Sequence, residues 1–168
     1  KTIEKEFEVF TKSGSSGNYA AGAAGCANVS PFDISGQETA PQGIAFSKSG
    51  EKMFVVGTSS DAVNEYTLTG AYCIGTASFV DAFSVISEDI KPNAIAFSKS
   101  GEKMFIVGNS GNDVNEYILT AAWDVSTASF VDTFSVSSQE TAPVGIAFSK
   151  SGEKMFIAGD AGNDVNEY

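Results

Sequence analysis

The stretch AFSKSGEKMF occupies Ala45–Phe54 and returns unchanged at Ala96–Phe105 and Ala147–Phe156, 51 residues apart each time. Identity at a fixed period marks each copy as one supersecondary unit of an array. The similarity extends outward. Of the 22 residues Ala96–Tyr117, 19 recur in Ala147–Tyr168, where Val107, Asn109 and Ser110 become Ala158, Asp160 and Ala161. Upstream, Gln37-Glu38-Thr39-Ala40-Pro41 matches Gln139-Glu140-Thr141-Ala142-Pro143, and Phe32–Ser35 aligns with Phe134–Ser137. Residues 27–168 therefore hold three units, approximately 27–77, 78–128 and 129–168, after an N-terminal segment of residues 1–26.

Each unit reads as four short strands. The first is the Phe- and Val-rich type at Ala77–Val85 and Ala128–Val136, followed by a turn at Pro41, Pro92 or Pro143. The second is Ile44–Ser47 and its copies. Lys-Ser-Gly-Glu then closes a tight hairpin, with Gly supplying positive φ without steric cost, into the third strand at Met53–Val56. The fourth is Val63–Leu68, preceded by a Gly/Asn/Asp/Ser loop. Met104-Phe105-Ile106-Val107 is apolar on both faces, whereas a sheet with one wet face would alternate. Such sheets must be covered on both sides. Four-stranded antiparallel units stacked around an axis achieve this, so the expected fold is an all-β propeller of three blades with an added N-terminal strand. A β-solenoid fits less well, since its repeats run about 20–30 residues.

Composition narrows the function classes. The net charge is −11, with ten Lys and no Arg, which argues against nucleic acid and anionic membranes as partners. No apolar run approaches the roughly 20 residues of a membrane-spanning helix. His is absent, which removes the commonest general base and metal ligand. The chain begins with Lys1, as a removed signal peptide or an excised segment would explain. Cys26 and Cys73 could form one disulfide, but the repeat places them in different units. Two part-buried thiols are the favoured reading.

With those residues in view, G-I-A-F-S-K-S-G-E-K-M-F resembles the blade signature of YVTN-type β-propeller repeats, in which a strand leads through a Ser-Pro-Asp-Gly-like hairpin into a second apolar strand. The resemblance covers residues 27–168 and not residues 1–26; Lys48-Ser49, Lys99-Ser100 and Lys150-Ser151 stand where Pro-Asp is usual. It implies the fold and an extracellular or cell-surface setting, and no activity.

Propellers close with about four to eight blades, so three units imply open faces and a self-associating chain, as a ring or a filament. Lys1–Phe10 alternates, with Ile3, Phe7 and Val9 on one parity and Glu on the other. That strand could join a neighbour's edge or pair within its own chain. Residues 12–25 read as a Gly/Ser/Ala connector.

Candidate sites are few. The loops at Asn109, Asn112 and Asp113 and at Asp160, Asn163 and Asp164 offer oxygen ligands that Ca²⁺ favours, although tight turns need the same residues. No cofactor is otherwise expected. The triplets containing Asn64 and Tyr66, Asn115 and Tyr117, and Asn166 and Tyr168 could bind glycans by stacking, or simply pack. Glu88-Asp89 and Glu140 are the carboxylates available for acid–base work, and an exposed acidic turn is the plainer reading. Near-identical units without an odd one out suggest a structural or adhesive module and not an enzyme. The alternatives are a lectin-like propeller and a carboxylate-based hydrolase or lactonase.

Overall fold

The computed structural model describes Thr11–Lys12, Tyr19–Ala20 and residues 31–168. The expected strand at Lys1–Phe10, with Ile3, Phe7 and Val9, lies outside the described residues. Within the stretch read as a connector, β1 (Thr11–Lys12) pairs antiparallel with β2 (Tyr19–Ala20).

Three antiparallel sheets follow. The first runs β3 (Pro41–Phe46), β4 (Lys52–Gly57), β5 (Ala62–Leu68) and β6 (Ala77–Ser84), each strand bonded to the next. The second repeats it as β7 (Pro92–Phe97), β8 (Lys103–Gly108), β9 (Asp113–Leu119) and β10 (Ala128–Ser135). The third contains β11 (Pro143–Phe148), β12 (Met155–Gly159) and β13 (Val165–Glu167).

The sheets are propeller-like blades, with one change of phase. The Phe- and Val-rich strand read as opening each unit instead closes the preceding sheet: β6 pairs with β5, and β10 with β9. Turn signals flank that strand on both sides, so its sequence did not say which sheet it joins. The third blade consequently has three strands where four were expected.

The hairpin reading holds at the level of backbone angles. Gly50, Gly101 and Gly152 have φ of +75, +78 and +78, the region where a Cβ is penalised. Ser47 caps its hairpin twice over: its N–H donates to Lys52 O at 3.0 Å and its Oγ accepts from Lys52 N at 3.1 Å. The inner strands carry matching bulges after Pro41, Pro92 and Pro143, where proline offers no ladder donor.

Apolar residues on both faces of the central strands fill the spaces between blades. Phe54, Val56 and Val63 of the first blade meet Met104, Ile106, Tyr117 and Leu119 of the second, with Val85 from the connecting segment sealing the layer. Each such side chain, fully buried, contributes about 1.5–3 kcal/mol of transfer free energy. The same layer recurs between the second and third blades around Val107, Val114, Val136 and Ile157. Phe97 packs against Phe54 in a tilted pair with ring centroids 4.5 Å apart, and Phe148 against Phe105 at 4.6 Å.

The inner strands run side by side in one direction. Asn93 Nδ2, at the start of β7, donates to Pro143 O at the start of β11 at 2.9 Å. A Cβ added to Gly43 of β3 would lie 2.9 Å from Ala94 Cα of β7. Consequently the Pro-bearing loops gather at one end of the array and the Lys-Ser-Gly-Glu hairpins at the other.

Candidate functional site

At the Pro end, each inner strand is preceded by a carboxylate at one repeat position: Glu38, Asp89 and Glu140, which are 1%, 1% and 0% exposed. Acidic side chains are almost never this buried without partners. Their neighbours explain two of them.

Glu38 is a clamp. Its Oε1 accepts from Ala40 N at 2.6 Å, from Ser59 N at 3.2 Å and from Ser59 Oγ. Its Oε2 accepts from Ser60 N at 3.1 Å and Ser60 Oγ at 2.7 Å. The loop joining β4 to β5 is thus tied to the segment entering β3. Burial raises the Glu38 pKa, but the hydroxyls of Ser59 and Ser60 and the amides of Ala40 and Ser60 outweigh it, holding the pKa at about 2. Glu140 repeats the clamp with backbone alone, accepting from Ala142 N at 2.7 Å, Ala161 N at 3.2 Å and Gly162 N at 3.4 Å.

A glycine makes room for each clamp. A Cβ at Gly57 would sit 2.4 Å from Glu38 Cδ, one at Gly108 2.3 Å from Asp89 Oδ2, and one at Gly159 2.1 Å from Glu140 Cδ. No side chain fits there unless the carboxylate moves.

The second blade is different. Asp89 is one methylene shorter, and its Oδ1 reaches only Lys91 N, at 2.6 Å. Its Oδ2 is buried and has no hydrogen-bond partner. The loop Asn109–Asp113 is therefore not drawn in by this side chain as its counterparts are. In the first blade Ala62 holds the position of Asp113. Here Asp113 accepts from Asn115 Nδ2 at 3.0 Å. Its pKa is raised, first by burial and then by the charge on Asp89, against the pull of the Asn115 bond. Beside it Tyr117 Oη donates to Glu88 Oε2 at 3.2 Å. Burial, then Glu88, Asp89 and Asp113, push the Tyr117 phenol well above its usual range, so it stays a donor. One carboxyl oxygen without a partner and a second carboxyl held toward its protonated form thus stand at the same end of one blade.

The other anticipated residues take plainer places. Tyr66 and Tyr117 are fully buried and Asn64 and Asn115 nearly so. The Tyr rings pack edge-on against Phe32 and Phe79, and against Phe83 and Phe130, which leaves no ring face for a sugar. Tyr168 sits against Phe134, and Asn166 Nδ2 donates to Asp164 Oδ1 at 2.8 Å. Asn112 and Asn163 hold the left-handed turn position, with φ of +52 and +53. With its amide turned to donate, Asn112 Nδ2 reaches Asn109 O at 3.3 Å and Thr141 O at 2.7 Å. Asp160 N donates to Ala142 O at 3.0 Å. Among the described residues, no three His, Cys, Asp or Glu side chains converge as metal ligands. Cys73 is disulfide-bonded, which corrects the favoured reading of two part-buried thiols; Cys26 lies outside the described residues.

Sequence reasoning passed over the clamp because its donors lie 21 and 22 positions beyond the carboxylate. The signal was present nonetheless: Glu, Asp, Glu at one repeat position is the kind of unequal unit an enzyme needs.

No family model and no curated protein sequence matches the chain. Solved structures do. A putative 6-phosphogluconolactonase from Bacteroides uniformis aligns with TM-score 0.58 at 16% identity, over 76% of this chain and 36% of that one. The periplasmic gluconolactonase of Pseudomonas aeruginosa gives 0.57 at 19% identity, over 76% and 34%. The β-propeller domain of Cps50 (Swd1) from Myceliophteria thermophila gives 0.52 at 14% identity, over 76% and 39%. The chain spans a little over a third of the length of these structures. The expectation that the protein is not an enzyme is corrected here: proteins named as lactonases share its fold, so a regular propeller does not by itself argue against catalysis. The likeness is one of fold, that of the β-propeller.

Proposed function

We propose that the chain forms part of a hydrolytic β-propeller acting on esters or lactones, with its site at the Pro end of the second blade. The observation that carries this is the shortened carboxylate, Asp89, whose Oδ2 has no partner where Glu38 and Glu140 are fully engaged. Asp89 Oδ2 would hold the attacking water and take its proton. Asp113, its pKa raised by burial and by Asp89, would give a proton to the departing alkoxide oxygen. Water adds to the carbonyl carbon, the ester C–O bond breaks, and a hydroxy acid results. Access to Asp89 requires the loop Asn109–Asp113 to lift, and the loop's exposed surface and missing clamp favour that. The names of the gluconolactonase relatives support the ester or lactone class. A setting outside the cytoplasm fits the disulfide at Cys73 and the periplasmic relative. No helix among the described residues is long and apolar enough to cross a membrane.

The test is hydrolysis of a panel of sugar lactones and simple esters by the full chain, followed by acid release. Asp89→Asn and Asp113→Asn should each lower kcat by about 100-fold. Asp89→Glu, which restores the clamp of the neighbouring blades, should do the same while leaving the fold intact. Failure to turn over any member of the panel, or an Asp89→Glu enzyme with unchanged kcat, overturns the reading.

A further inference from the structure

The repeat position that leads into β5 and β9 holds Asp61 in the first blade and Asn112 in the second. Both residues take the left-handed conformation, with φ of +47 and +52. The Asn112 side chain donates twice. Its Nδ2 reaches Asn109 O at 3.3 Å, three residues back, and Thr141 O at 2.7 Å, in the segment that enters the next blade. One amide thus ties a loop to itself and to its neighbour.

The backbone around Asp61 repeats that frame bond for bond. Asp61 O accepts from Val85 N at 2.9 Å, as Asn112 O does from Val136 N at 3.0 Å. Asp89 N donates to Val85 O, and Glu140 N to Val136 O, each at 2.8 Å. Thr58 N and Asn109 N bond to the Pro segments at 3.1 and 3.2 Å. One repeat earlier, the two facing carbonyls are therefore those of Thr58 and Ile90. The side chain between them has changed from donor to acceptor. An ionised carboxylate only accepts, and Asp61 Oδ1 is buried without a hydrogen-bond partner. Among the described residues, no lysine pairs with it. Oxygens gathered in this way repel one another unless positive charge stands between them. The Glu38 clamp meanwhile fixes Ser59 and Ser60, between Thr58 and Asp61, through their amides, so the arrangement is held in advance of any ligand.

We propose that the Asp61 carboxylate, with the carbonyls of Thr58 and Ile90, forms a Ca²⁺ site between the first and second blades. Carboxylate and carbonyl oxygens are the ligands this hard cation prefers, in flexible geometry, and waters complete its shell of roughly six to eight. A single carboxylate keeps the affinity low, with a Kd of about 0.1–1 mM, the range of extracellular modules. At Asn112 the amide hydrogens already fill the role that the cation takes at Asp61. The inference is independent of the hydrolase reading and uses none of its residues.

The test is calorimetric titration of Ca²⁺ alone into the full chain at about 0.15 M ionic strength, with Mg²⁺ as the control. One saturable Ca²⁺ site is expected. Mg²⁺, which demands a tighter octahedral shell and dehydrates reluctantly, should bind at least about tenfold more weakly. Asp61→Asn installs the second blade's residue and so preserves the fold. It should weaken Ca²⁺ binding by more than about tenfold and abolish the rise in unfolding temperature that Ca²⁺ gives the unaltered chain. Asn112→Asp, facing the carbonyls of Asn109 and Thr141, should create a second site. The proposal is overturned by an absence of saturation up to about 10 mM Ca²⁺, or by an equal response to Mg²⁺, the mark of general screening in an acidic chain. Undiminished binding by Asp61→Asn, or a single site in Asn112→Asp, also overturns it.

Discussion

The loop after β4 and the loop after β8 occupy the same place in consecutive blades, yet only the first is clamped by the carboxylate that precedes its inner strand. Glu38 gathers Ser59 and Ser60 through both carboxylate oxygens, whereas Asp89 stops at Lys91 and leaves Oδ2 without a partner. A repeat protein can therefore make two units unequal by losing a methylene, while the backbone bond from loop to Pro segment, Thr58 N to Ala40 O and Asn109 N to Lys91 O, is retained. The cost is local: a buried polar atom without a partner costs about 1–3 kcal/mol, which a strained or catalytic position can carry when the neighbouring blades are well packed.

The sharpest way to break the comparison is through the glycines beneath the two carboxylates. Gly57→Ala should destabilise by about 3 kcal/mol, because the added Cβ displaces a fully bonded Glu38. Gly108→Ala, displacing an Asp89 with one bond to lose, should cost about 1–2 kcal/mol. Chemical denaturation of both variants measures the gap, and equal costs would show that the clamp adds nothing to loop stability. Next in size, Glu38→Asp transplants the second blade's residue into the first and should cost about 2 kcal/mol, with faster hydrogen exchange at Ser59 and Ser60. The converse change, Asp89→Glu, should raise stability by about 1 kcal/mol at the expense of activity; a destabilised Asp89→Glu would mean that the longer side chain does not find the Ser110 and Gly111 amides.

The smallest effect is one of pH. Glu38 has a folded pKa near 2, below its ordinary 4.5, so its contribution is present above pH 4.5 and is lost as pH falls toward 2. Asp113 has the opposite sign. Its raised pKa favours the folded state at low pH and weighs against it once pH rises through that pKa, so Asp113→Asn should gain stability in neutral solution. Acid titration of the unfolding midpoint for Glu38→Gln against the unaltered chain separates the two: loss of the steepness below pH 4.5 is expected, and an unchanged profile would remove Glu38 from the account.

Much of the fold was legible because its causes are local in sequence. Gly50 announces a hairpin by itself, and Met104 to Val107 announce a strand covered on both faces. The phase of the blade was not legible, since Ala77–Ser84 is an outer strand whose sheet is decided by pairing with β5. Tyr66 and Tyr117 could be read from sequence as packing residues or as glycan platforms, and the Phe rings that surround them show the packing. For Asp89 the difference from Glu38 and Glu140 was visible as a letter, but its meaning depended on amides two strands away.

The uniform direction of the inner strands has one more consequence, which concerns traffic rather than stability. Because β3, β7 and β11 run alike, charge is sorted along the axis. At the hairpin end Lys48 and Lys52 are balanced by Glu51 and Glu65, and the copies repeat the balance. At the Pro end, among the described residues, Glu38, Asp61, Glu88, Asp89, Asp113 and Glu140 are accompanied by one lysine, Lys91. If the proposed activity holds, a neutral lactone would cross such a field unhindered, while the carboxylate released from it would be pushed outward, within a Debye length of about 10 Å at 0.1 M salt. On the proposed reading, an array sorted in this way would eject the acid formed and resist taking it back, and added salt should weaken that asymmetry by slowing product departure.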